Sequence, residues 1–74
     1  MENKEIILDV SELEAPYPLI KGIEAIKNLK DGEVLVLIHR MFPYKLEKYI
    51  KRNDCIYEII NNEENYFKMK VYRS

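Results

Sequence analysis

Five consecutive apolar residues, Val34-Leu35-Val36-Leu37-Ile38, constrain this chain more than any other feature. A strand covered on both faces, or central in a sheet, reads this way. Such a strand needs neighbours, and the flanking sequence supplies them. Ile6 to Val10 is β-branched and apolar with one acid, Asp9, and predicts a first strand. Pro16 breaks that pattern, and Pro18 suits the first turn of a helix, where a missing N–H costs nothing. Leu19, Ile23, Ile26 and Leu29 fall on one face of that helix, with Gly22 and Ala25 close enough to the stripe to admit a sheet. Lys30, Asp31 and Gly32 end it, Gly32 as a left-handed turn residue.

After the apolar run, His39 to Phe42 form a short loop. Pro43 opens a second helix with Leu46, Tyr49 and Ile50 inward, closed by Asn53 and Asp54. Cys55 to Ile60 is a third strand and Asn61 to Asn65 a polar turn. Tyr66 to Arg73 alternates cleanly: Phe67, Met69 and Val71 on one face, Tyr66, Lys68, Lys70 and Tyr72 on the other.

The order βαβαββ predicts an α+β fold, a two-layer α/β sandwich spanning residues 1–74 as one domain. The first two strands are expected to be parallel with a right-handed crossover, and the last two to form an antiparallel hairpin. Two helices then cover one face of a mixed four-stranded sheet. The open face carries aliphatics of the apolar run rimmed by Tyr and Lys. It is read either as a homodimer surface or as apolar residues shielded by Tyr and Lys stems.

Charge narrows the partners. Twelve basic residues stand against 13 acidic, a net charge of −1, with no basic excess to neutralise a run of phosphates. That argues against nucleic acid as the main partner; the protein partner expected here comes with the adaptor reading given below. No apolar segment approaches the ~20 residues of a membrane helix, and no secretory leader is visible, so a cytoplasmic protein is expected. The lone cysteine, Cys55, can make neither an internal disulfide nor a multi-cysteine zinc site.

The segment from Leu8 to Pro18 resembles the signature of the TusA (SirA-like) family of sulfur-transfer proteins: Leu-Asp, then Cys-Pro-x-Pro opening a helix. Here Leu8-Asp9 and Pro16-Tyr17-Pro18 are in register, with Ala15 where the family has its cysteine and Glu12 where it has a glycine. Gly32-Glu33 before the apolar strand and the closing hairpin follow in the family's order. The resemblance implies the fold. It also implies that the persulfide chemistry of the family's cysteine, whose thiolate a nearby helix N-terminus favours, is missing. The chain is similar to a cysteine-less branch described as a domain of unknown function. That branch carries Leu-Asp, Pro-x-Pro, a histidine ending the second strand and a proline soon after, here His39 and Pro43. It often has Asp and Arg between that histidine and proline; this sequence has Arg40 and Met41. Members of the branch occur beside or fused to redox and hemerythrin-like modules.

Ligands in open parallel sheets sit beyond the carboxyl ends of the strands. Two loops meet there and bring Asp9, Glu12, Glu14, Tyr17, His39, Arg40 and Met41 near one edge. His39, the only histidine, is read as a metal or haem ligand, a proton carrier or a donor to an acidic partner group, or as a strand-ending residue bonded to a neighbouring loop such as Asp9. Asp9 is read as a base or as the cap of its own loop. Arg40 is read as an anion contact or as solvated surface. With glycine only at 22 and 32, a phosphate-cradling loop is excluded, and no cofactor is implied. The expected function is a non-catalytic binding or adaptor module for a redox or sulfur-handling protein. A small-ligand, metal or haem binder anchored by His39 is the first alternative, and residual sulfur carriage on Cys55 the second.

Overall fold

The computed structural model describes residues 4–73; residues 1–3 and 74 of the expected domain lie outside them. Six elements follow in the expected order: β1 (Lys4–Asp9), α1 (Tyr17–Lys27), β2 (Glu33–His39), α2 (Tyr44–Arg52), β3 (Cys55–Glu63) and β4 (Tyr66–Arg73). The strands form one sheet in the order β1-β2-β4-β3. β1 and β2 are parallel, while β4 runs antiparallel to both β2 and β3. The apolar run therefore sits between two hydrogen-bonded neighbours. Leu35 and Leu37 are fully buried in the core with Val10, Phe67, Met69 and Val71.

Both helices pack on the face that carries those residues. α1 contributes Ile26 and α2 contributes Leu46 and Ile50, all buried. Gly22 lies between the helices. A Cβ built there would stand 2.7 Å from a methyl of Leu46, so the bare backbone lets α1 approach α2, where the sequence suggested approach to the sheet. α1 also ends earlier than its stripe implied. Asn28 caps it, and Leu29 joins the core just after the last turn through a 3.2 Å bond from its N–H to the Ile26 carbonyl. Gly32 then turns the chain with φ +85°, a conformation that suits glycine.

α2 is fastened to β3 by a hydrogen bond from the Tyr57 hydroxyl to the Glu47 carboxylate. Phe42 packs edge-on against the sheet, its ring centroid 5.4 Å from Phe67 of β4 and 6.1 Å from Tyr57 of β3. β3 is longer than the sequence indicated. It continues through Asn61, Asn62 and Glu63 after an irregularity between Ile59 and Asn61. The hairpin closes with Glu63 opposite Tyr66 and Asn65 at φ 62°. The bulge explains the error, because an extra residue breaks the period-two pattern from which strands are read.

On the open face, Val36 stands in register between Ile7 and Lys70. It is only 4% exposed, while Lys70 reaches across β2 to Glu5 at 3.6 Å. Its stem thereby covers aliphatic surface with its charge left in water. Ile7 and Ile56 on the same face remain exposed. No helix among the described residues is long and apolar enough to cross a membrane.

Two outcomes follow from this packing. Gly22→Val forces the Leu46 methyls aside. It is expected to cost about 1–3 kcal/mol as overpacking does, read as a lower urea midpoint with an unchanged slope. Tyr57→Phe is expected to lower stability only within a pH window. The Tyr57 bond holds the Glu47 carboxyl below its ordinary 4.5, so its contribution is full above 4.5 and fades as pH falls through the lower native value. The same bond raises the Tyr57 hydroxyl above its ordinary 10.0, so the contribution fades again only as pH rises beyond that. Urea midpoints of wild type and Tyr57→Phe that differ equally at neutral pH and at strongly acid pH would contradict this.

Candidate functional site

The parallel pairing of β1 and β2 carries both following loops to the same edge of the sheet. The β1–α1 loop leaves through Val10, whose N–H donates to the Ile38 carbonyl at 2.9 Å. It turns on Asp9, whose Oδ1 accepts the Ser11 N–H at 2.9 Å and the Ser11 hydroxyl at 2.6 Å. These bonds hold the Asp9 carboxyl below its ordinary value of 3.8. Asp9 is the cap of its own loop, as one of its two readings expected. It does not meet His39. Asp9 shares a register row with Ile38 and so lies on the open face, whereas His39 alternates with Leu37 and Leu35 on the helix face.

The β2–α2 loop is organised by His39. Its Nδ1 accepts the Arg40 N–H at 2.7 Å and, more weakly, the Met41 N–H at 3.4 Å. An acceptor nitrogen carries no proton, so these bonds assign the neutral ring as the Nε2–H tautomer. Partial burial, then the charge of Arg40, push the imidazole below its ordinary 6.5. Histidine thus ends the strand by satisfying the loop's own backbone, and its Nε2 is the ring nitrogen left over.

Arg40 ties the two loops together: its guanidinium donates to the Leu13 carbonyl at 3.1 Å. Between the loops and the heads of both helices lies a cleft of about 360 Å³. Ala15, Pro18 and Leu19 form one wall, and Met41, Phe42 and Leu46 belong to the other side. Both helices start at this cleft behind prolines, Pro16 and Pro43, with no side-chain cap. His39, Arg40 and Met41 of the expected residues line it; Asp9, Glu12, Glu14 and Tyr17 do not. Sequence reasoning missed Tyr44 and Lys45, which also line it. Their signal was position: both follow Pro43 directly, on the first turn of a helix entering from the site loop.

Cys55 is buried at the far end of the sheet, paired in register with Arg73, whose guanidinium approaches its Sγ at 3.7 Å. Among the described residues no group of three or more His, Cys, Asp or Glu is placed to hold a metal ion.

The Sulfurtransferase TusA family model matches residues 6–73, nearly the whole chain. No curated protein and no solved structure matches it.

The tautomer gives a direct check. Nitrogen NMR of the imidazole is expected to show the Nε2–H form near neutral pH and a titration midpoint below 6.5. Because the native ring is harder to protonate than the unfolded one, its contribution to stability is present above 6.5 and is lost as pH falls toward the native value. An Nδ1–H ring would contradict the bonding described.

Proposed function

The chain belongs to the TusA sulfurtransferase family, and from that premise we propose that it is a member without the sulfur-carrier cysteine, working by binding rather than by carrying sulfur. The observation behind this reading is Ala15. It stands six positions after Asp9, where the family signature resembled here has cysteine, and it lines the cleft at the head of α1. The cleft keeps its walls, its two helix N-termini and its histidine while lacking the atom that would hold a persulfide. Alanine has no nucleophile, and Cys55, buried at the opposite end of the sheet, lies away from that cleft. A scaffold of this family whose loop carries Ala15 in place of a reactive sulfur is suited to engage a redox or sulfur-handling protein as an adaptor.

The test is sulfur loading. The purified chain is incubated with a cysteine desulfurase and cysteine, and its mass is then measured. No added sulfur is expected on the native chain, and Ala15→Cys is expected to gain it. A persulfide on Cys55 of the native chain would overturn the reading and make the protein a carrier through a different residue.

A further inference from the structure

We propose that the cleft receives one large apolar side chain from an acidic segment of the protein partner, with carboxylates beside that side chain meeting Arg40 and Lys45. The inference rests on the binding reading above and specifies the chemistry of what is bound. Its grounds are shape, rim and charge. At about 360 Å³ the cleft is at the small end of ligand-sized sites, and its depth is apolar: Leu13, Leu19, Phe42 and Leu46.

The rim favours a protein over a free small molecule. Met41 is 58% and Tyr44 67% exposed. Both residue types are enriched at protein interfaces. Tyr17 and Ile20, exposed on the first turn of α1 beside the lining Pro18 and Leu19, add to the apolar surface a partner can cover.

The charge of the lining has one sign. Arg40 and Lys45 line the cleft and no carboxylate does; Glu12 and Glu14 are exposed on the loop outside it. Arg40 is already held by the Leu13 carbonyl, so part of the cost of ordering a long side chain is met before binding. Its remaining N–H groups are free to face a carboxylate in a paired geometry. The chain as a whole is slightly acidic, so this cationic mouth is a local feature rather than a general attraction for anions.

The experiment uses blocked tripeptides, acetylated and amidated, and follows backbone amide shifts of the full chain. Asp-Phe-Asp is expected to shift Arg40, Met41 and Tyr44 saturably. Lys-Phe-Lys is expected to bind more weakly and Asp-Ala-Asp not to bind. Lys45→Glu, an exposed change, is expected to weaken Asp-Phe-Asp about two- to fivefold, the range of an exposed charge pair. Ala15→Leu, also exposed, is expected to fill the cleft and abolish the shifts while the urea midpoint holds. Equal binding of the acidic and basic peptides overturns the proposal. So does 4-phenylbutyrate binding as tightly as Asp-Phe-Asp, which would mark a small-molecule site, and so do shifts confined to the open sheet face. Sulfur on Cys55 would refute the binding function and leave the peptide result standing. Failure of the peptides would leave the sulfur result standing.

Discussion

β2 is hydrogen-bonded on both sides, parallel to β1 and antiparallel to β4, and it is apolar on both faces. Shifting either pairing by one residue would turn Leu35 and Leu37 out of the core and Val36 into it. The strand's composition tolerates that poorly in one respect and well in another. Both faces accept aliphatics, so the register is fixed by the neighbours: Phe67, Met69 and Val71 of β4 must face the helices, and Lys68 and Lys70 must not. Once β4 sets the register, His39 emerges on the helix face beside the heads of α1 and α2. Everything at the cleft inherits its position from that alignment.

The elements were legible wherever periodicity and proline punctuation agreed. The apolar run, the alternation of β4 and the prolines ahead of each helix placed all six in order. What the sequence could not convey was which surfaces touch. Gly22 reads as a small residue near a stripe, but only the crossing of two helices shows that its partner is Leu46. Leu29 continues a helical period after the helix has ended, because burial and not hydrogen bonding governs where an apolar residue goes. β3 was cut short because a bulge and two asparagines conceal its last residues.

At the site, proximity along the sheet edge was legible and the face was not. Asp9 and His39 both end parallel strands, yet one row of pleat separates them onto opposite sides. The loops consume much of their polar capacity on themselves. Asp9 binds Ser11, His39 binds the two following amides, and Arg40 binds Leu13. What lines the cleft is mainly apolar with two cations and the half-buried histidine.

The bond from Arg40 to Leu13 joins residues 27 apart in sequence, and neither wall of the cleft exists until the β1–α1–β2 crossover has formed. A chain in which that crossover has not formed therefore has no cleft. By mass action, any occupant of the cleft raises the stability of this small domain, by about 2.7 kcal/mol at a hundredfold excess over its dissociation constant. In a domain of this size, whose whole margin is only several kcal/mol, such linkage couples the stability of the fold to occupancy of the cleft.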